Sequence, residues 1–377
     1  VADEERSRAE QESINSDYVL DQADRYFNTV RLKAAMERVE ELLEVGKVVE
    51  AEAVLTKLSR VRLSSHSMVK VAEDWDAWRK AFDIDRQRPL VTYPGRLQNF
   101  LGDWLQRDTL IGFMAPDKTG KSVFLLDLAV RALRNRNRVA YFDVGDNSQD
   151  QVMRRLGSRV ARQPGQENFR QQVKVPISII KGEDGNYEVE TKTRNFKRPV
   201  TVSAAFKAVQ RLSRGVDRLR LAAYPNGTAS VVALASELAD WEREDGWVPD
   251  VIVIDYADIL AAPPGVKDTL DQIDETWKQL RRLSQENHCL VVTATQASAA
   301  AYGDKATVLK KQHFSGRKTK LAHVNGMVGI NVSVKDREAG VTKLNWVVRR
   351  EGRYSEMDQV IVAGCWEWYD PAVRAAD

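Results

Sequence analysis

The stretch Leu110–Leu133, LIGFMAPDKTGKSVFLLDLAVRAL, decides the fold. A strand-length apolar run ends at Met114, a short loop follows, and Gly120-Lys121-Ser122 open an apolar helix. Strand, tight loop and helix N-terminus in that order aim backbone N–H groups and the positive end of a helix dipole at one point, an anion cradle suited to phosphate. The candidate cradle is Ala115, Pro116, Asp117, Lys118, Thr119, Gly120, Lys121 and Ser122. Lys121 supplies a point charge for phosphate oxygens and Ser122 a hydroxyl ligand for Mg2+. The first glycine of the G-x-x-x-x-G-K-[ST] pattern is Ala115 here, which accepts close approach and positive φ less readily.

Outward from that stretch, short apolar runs alternate with amphipathic segments, the pattern of an α/β fold with a mostly parallel sheet. Strands are expected at Thr109–Met114, Val139–Asp143, Leu219–Ala223, Val251–Asp255 and Leu290–Thr295. Leu270, Ile273, Trp277, Leu280 and Leu283 recur at steps of three and four, so that helix buries one stripe against the sheet. Three later runs, Gly329–Lys335, Thr342–Arg349 and Gln359–Trp366, read as antiparallel strands added at the sheet's edge.

Two strand ends carry polar groups in useful places. In VPDVIVIDYADIL, four apolar residues deliver Asp255 to the carboxyl end of a buried strand, where a carboxylate holds Mg2+ opposite the phosphates. In CLVVTATQAS, Thr295 and Gln296 end the next strand, and an amide there can sense the terminal phosphate and report its loss to the following loop. That loop, 303–321, holds Lys305, Lys310, Lys311, Arg317, Lys318 and Lys320 against one acid, Asp304. A basic, Gly- and Ser-containing loop suits a nucleic-acid backbone. Residues 151–220 form a second basic segment, 16 Lys and Arg against 6 Asp and Glu, with a β-hairpin expected around Asp184-Gly185. As an insertion it reads equally as a solvated extension or a nucleic-acid contact.

The N-terminal part differs. Residues 1–60 hold 14 acids and 9 bases, with apolar residues at helical spacing on either side of Gly46, which suits a C-cap between two helices. We place residues 1–87 as a helical hairpin and linker for oligomerisation, and 88–377 as the phosphate-binding domain with its basic insertion at about 151–220. The pairs Trp75/Trp78 and Trp366/Trp368 read as packing anchors.

Over all 377 residues, 43% are hydrophobic and the net charge is +3, which excludes wholesale disorder and a wholly polybasic protein. Two cysteines and four histidines offer neither a disulfide framework nor a zinc site, so a cytoplasmic protein is expected. No apolar run reaches membrane-spanning length, and the acidic start VADEERSRAEQE lacks the parts of a secretory leader, so no membrane partner is expected.

Over about residues 88–370 the order of these parts resembles the RecA-like P-loop ATPase core, above all the DnaB-type hexameric replicative helicases with their phage and plasmid relatives. VIVIDYADIL resembles that family's Walker B strand, VVTATQAS the strand bearing its glutamine, and VAYFDVGDNSQDQVMRRLG the segment holding its catalytic Glu. The resemblance implies a RecA-like P-loop NTPase fold preceded by a helical hairpin. It further implies ATP bound between subunits of a homo-oligomer, a hexamer in the family's pattern, with single-stranded DNA in the channel, replication proteins as partners and a bacterial cytoplasm as location. VVRREGR resembles the strand carrying the arginine finger, so Arg350 is the candidate to act in trans, while Val348 stands at the family's Lys position. Gly145 falls where the catalytic Glu belongs, with Asp146 next to it as the substitute base. APDKTGKS is nearer the recombinase form of the loop. A recombination or repair filament ATPase and a nucleotide-binding, DNA-associated oligomer with little hydrolysis therefore stay open beside the helicase.

Overall fold

The structure, a computed structural model, describes residues 16–48, 50–51, 54, 69–82, 88–182, 187–262, 268–298, 308–313 and 320–376. The chain forms two units, Val1–Asp83 and Ile84–Asp377.

In the first unit, helix α1 (Ser16–Glu44) closes at Gly46, whose φ is +72°. The Gly46 N–H donates to the Leu43 carbonyl (3.0 Å) and the Lys47 N–H to that of Leu42 (2.8 Å), the paired bonds of a Schellman cap. Helical backbone resumes at Val48. Leu55 and Leu58 of the expected second helix lie outside the described residues. Helix α2 (Trp75–Ala81) leaves Trp75 exposed, whereas Trp78 stacks on Phe82 at 5.9 Å and donates to the Val71 carbonyl.

The second unit contains helix α3 (Arg96–Phe100), then β1 (Thr109–Ala115), α4 (Lys121–Arg134), β2 (Val139–Asp143), α5 (Gln149–Ala161), β3 (Gln172–Lys181), β4 (Tyr187–Asn195), α6 (Val202–Ser213) and β5 (Leu219–Ala223). There follow α7 (Val231–Asp245), β6 (Val251–Asp255), α8 (Thr269–Glu286), β7 (Leu290–Gln296), α9 (Lys320–His323), β8 (Gly326–Asn331), α10 (Val334–Ala339), β9 (Val341–Arg349), β10 (Gln359–Cys365) and β11 (Asp370–Ala375). Among the described residues nine strands make one sheet in the order β11-β10-β9-β8-β1-β7-β6-β2-β5, with β3 and β4 as a separate hairpin.

The strands from β8 to β5 run parallel and the last three are antiparallel. Their side chains alternate between two cores. Ile111 and Phe113 of β1 meet Phe124, Leu125 and Leu128 of α4 on one face, while Leu110 and Met114 meet Trp277, Leu280 and Leu283 of α8 on the other. Covering both faces is what makes β6 and β7 continuous apolar runs.

Two expectations are corrected here. The strand expected at Gly329–Lys335 is Gly326–Asn331, and it pairs parallel to β1, Met114 opposite Gly329. It stops because Ser333 N-caps α10 in a capping box with Asp336, so Val334 and Lys335 are helical. Edge strand β11 has no counterpart in the sequence reading: Pro371 removes a ladder donor and disguises it. The hairpin expected around Asp184-Gly185 is β3 and β4, with residues 183–186 outside the described residues. It docks on the sheet edge through Val173, Cys365 and Trp368 rather than standing free in solvent.

Candidate functional site

The loop between β1 and α4 lies at the carboxyl end of the parallel strands, where open α/β sheets bind ligands. Ala115 still belongs to β1, in register with Gln296 and outside the positive-φ region, so this position makes no demand for glycine. Gly120 makes two. Its φ is +97°, and a Cβ there would stand 2.8 Å from the Trp366 ring. Lys121 folds back with 7% exposure, its Nζ donating to the carbonyls of Pro116 (3.0 Å) and Ala115 (3.2 Å). Burial holds its pKa below the ordinary lysine value, against the opposing pull of Asp117, Asp258, Asp146 and Asp255.

Asp255, at the end of β6, is fully buried. Ser122 Oγ donates to its Oδ1 and the Tyr141 hydroxyl to its Oδ2, both at 2.9 Å. Burial pushes this carboxyl up to about 7; the Tyr141 and Ser122 hydrogen bonds work against that shift, while Asp143 and Asp146 add to it. The donor set is hard oxygen, and a buried carboxylate whose hydrogen-bond donors are neutral hydroxyls lacks a compensating cation. A hydroxyl and a carboxylate beside a phosphate cradle fit Mg2+, which takes one or two protein oxygens and completes its shell elsewhere.

The next strand end is tied to the same place. Gln296 Nε2 donates to the Tyr256 hydroxyl (3.1 Å), and Lys121 Nζ lies 5.8 Å from the Tyr256 ring centre. Asp258 accepts from Thr295 Oγ1 (2.8 Å) and from the Gln296 backbone N–H (2.8 Å), and its Oδ1 is 3.5 Å from Lys320 Nζ.

Gly145 has φ +115°, and a Cβ there would fall 2.2 Å from Asn226 Cα and 2.4 Å from Asn226 N. Backbone packing therefore forbids any side chain where the resemblance places a catalytic Glu. Asp146 is exposed and lines the cleft over the phosphate loop. The neighbouring Asp143 is buried and occupied, accepting from the N–H groups of Gly145 and Asn147 and from the Asn147 side chain, so it caps the turn that presents Asp146.

These groups surround a cleft of about 710 Å³, bounded also by Arg155, Arg337, Trp366 and Tyr369. The architecture has counterparts among solved structures. A DnaB-like replicative helicase, whose structure was described with its primase interactions, superposes with a TM-score of 0.62 at 14% identity, over 93% of this chain and 77% of that one. A second solved structure, described as an ATPase domain, superposes with a TM-score of 0.59 at 13% identity, over 79% of this chain and 97% of that one. The chain has a RecA-like P-loop NTPase fold. No protein-family model and no curated protein matches the sequence.

Within that fold, Lys121, Ser122, Asp255, Gln296 and Asp146 come together. Arg350 does not join them. It follows β9 at the level where Arg349 pairs with Gly326, the starting edge of the parallel strands, and its guanidinium donates to the Ala322 carbonyl (2.6 Å). Ile111 stands level with Gly326, so four steps of extended chain, roughly 13 Å, separate that edge from the end of β1 at Ala115. Lys311 is exposed and Lys310 half-buried, while Lys305, Arg317 and Lys318 lie outside the described residues. Lys320 is only 2% exposed and is paired with Asp258, so its ammonium is held inside the protein instead of being presented to a ligand in this conformation.

Two cleft residues, Trp366 and Arg155, and the buried Tyr141 behind Asp255 are not legible in the sequence. Trp366, read as a packing anchor, covers Gly120. Tyr141 lies mid-strand, and Arg155 donates to Asn147 Oδ1 (2.7 Å). Only the one-strand spacing between β2 and β6, which brings Asp143 level with Asp255, could have flagged Tyr141.

Proposed function

We propose that this protein is an ATP- and Mg2+-dependent motor stimulated by single-stranded DNA, a DnaB-like helicase that works as a ring oligomer in DNA replication in the bacterial cytoplasm. The observation that carries the reading is the 2.9 Å bond between Ser122 of the phosphate loop and Asp255 at the end of β6. That bond joins the two oxygens that a nucleotide-bound divalent cation needs. The likeness to a DnaB-like replicative helicase supports the choice of motor.

Lys121 leaves its carbonyl partners for the β- and γ-phosphate oxygens, and the N-terminus of α4 receives the anion. Ser122 and Asp255 would hold Mg2+, which when bound would supply positive charge to the phosphoryl oxygens. Asp146 accepts the proton of the attacking water. Gln296 reads the terminal phosphate, and Asp258 passes its position to Lys320 and the basic segment before it. Lys310, Lys311 and the further cations of that segment, Lys305, Arg317 and Lys318, hold the DNA backbone. Arg350, remote from its own chain's loop, reaches the site of a neighbouring subunit, in a ring whose self-association includes the helical N-terminal unit.

Steady-state ATP hydrolysis with and without single-stranded DNA, in wild type, Lys121→Ala and Asp146→Ala, tests this. Turnover stimulated by DNA and lost in both variants supports the motor. Nucleotide binding without turnover above the Lys121→Ala background would instead support the second reading, a nucleotide-gated DNA-binding oligomer, which the closed space at Gly145 favours.

A further inference from the structure

The helix that begins at the phosphate loop ends in a second basic site. Helix α4 has 14 residues, so Arg134 stands about 20 Å from the loop. There the docked β3–β4 hairpin, the segment around Tyr93 and strand β11 enclose a cleft of about 520 Å³. Five of its lining side chains are cationic and exposed: Arg134, Arg162, Lys192, Arg194 and Arg374. None has an ion-pair partner among the described residues. Arg194 rests on the rings of Phe196 (5.1 Å) and Trp368 (5.5 Å), and Arg374 donates to the Ile177 carbonyl (2.9 Å), so both are positioned without being neutralised.

The carboxylate nearest these cations is already committed. Asp370 lines the cleft but pairs with Arg159 (3.1 Å) and Arg131 (3.6 Å), which also bind Asp127. That buried group balances two acids against two arginines, leaving the rim charge uncompensated, while Asp370 Oδ1 and Arg159 Nη1 within it have no hydrogen-bond partner. Desolvation first, then the charges of Arg159, Arg131 and Arg162, pull the Arg134 guanidinium down to about 10, against the opposing charge of Asp127.

A separate observation points to the same ligand chemistry. Two side chains lining the cleft, Tyr93 and Trp368, are 7% and 2% exposed, and the Tyr93 hydroxyl and the Trp368 indole N–H have no hydrogen-bond partner. Buried donors are normally satisfied, and these two lack acceptors beneath a rim of five cations.

We propose that this cleft binds a ligand carrying two or more phosphate groups, at a site distinct from the phosphate loop. Such a ligand supplies several acceptor oxygens and negative charges spaced to match the arginines, which take phosphate oxygens in a fork. A phosphodiester strand and a free polyphosphate share that chemistry.

The test uses the full chain with Lys121→Ala, which weakens the first phosphate site, titrated with inorganic tripolyphosphate and separately with a twelve-nucleotide oligothymidylate. Two further pairs of substitutions are made in that background, Arg134→Ser with Arg194→Ser, and Arg162→Ser with Lys192→Ser, each checked for native circular dichroism. At least one probe is expected to bind the parent, to bind about tenfold more weakly in whichever pairs retain the fold, and to lose about one unit of salt dependence with them. Tripolyphosphate alone would name a small polyphosphate as the ligand, oligothymidylate alone a strand. The proposal is overturned if neither probe binds the parent, or if both bind the folded variants as tightly as the parent.

Discussion

The ammonium of Lys320 lies 3.5 Å from a carboxylate oxygen of Asp258, and that same carboxylate accepts the backbone N–H of Gln296 at 2.8 Å. Asp258 thus joins the strand end facing the phosphate loop to the residue where the basic segment re-enters the fold. The Trp277 ring, 5.8 Å from Nζ, completes the enclosure.

Breaking that link without opening a cavity isolates its role. Lys320→Met keeps the length of the stem, and Asp258 retains Thr295 and Gln296 as donors. Nucleotide affinity is expected to stay within about twofold, while DNA-stimulated turnover falls to the rate without DNA. Charge reversal at Lys310 and Lys311 gives the same loss of stimulation through the DNA side. Filter binding and steady-state hydrolysis separate the two cases: only the second variant also loses DNA affinity.

Asp255 sets a pH dependence whose sign can be worked out. Its carboxyl is raised from an ordinary value of 3.8 to about 7. Between those values the folded protein keeps a proton that the unfolded chain has released, so this group favours the fold most below about 4. Its contribution declines as pH rises through the window and becomes a full penalty above about 7. Metal and nucleotide need the ionised form, so their binding at pH 6.5 is expected to release a proton. Calorimetry in two buffers of different ionisation enthalpy measures it, and Asp255→Asn should remove the difference.

Gly145 is a position where a plausible repair fails. A Cβ would meet Asn226 Cα at 2.2 Å with φ at +115°. Gly145→Ala is expected to destabilise by roughly 2–4 kcal/mol through overlap and backbone strain together, seen as a lowered Tm. Gly145→Glu is expected to lose stability without gaining turnover, and a faster Gly145→Glu enzyme would contradict the assignment of the base to Asp146.

What the sequence makes legible follows from where each signal resides. Strands β2 and β6 have the bounds their apolar runs announce, because both faces are covered and Asp143 and Asp255 mark the ends, and β5 keeps its expected bounds although it is half-buried at the sheet edge. Strand β8 is displaced from its expected place because GINVSVK continues the alternation through a helix cap that only the Ser333–Asp336 contacts reveal. Lys121, Ser122 and Asp255 are legible because their chemistry depends on position along a strand-loop-helix unit. Trp366 and Tyr141 are not, since Trp366 covers Gly120 and Tyr141 bonds Asp255 from elements far away in sequence from those partners, and such neighbours are set by sheet order alone. Lys320 shows the converse: charge counting places it with the basic loop, but burial beside Asp258 decides what its ammonium touches.

The phosphate-loop helix is fixed to the rest of the domain by charge as well as by apolar packing. Asp127 of α4 and Arg159 of α5 are both fully buried and hydrogen-bonded, and Arg131 and Asp370 complete the group. Arg131 and Arg159 hold the Asp127 carboxyl below the usual range although burial alone would raise it. Removing one member leaves an uncompensated charge in a dry site. Asp127→Leu is therefore expected to cost about 3–5 kcal/mol, and Arg159→Met a similar amount, since each strands a partner. Replacing both at once, Asp127→Leu with Arg159→Met, should cost clearly less than the sum of the singles. Urea denaturation of the four proteins measures the coupling, and additive costs would show that the pair is incidental to holding α4 in place.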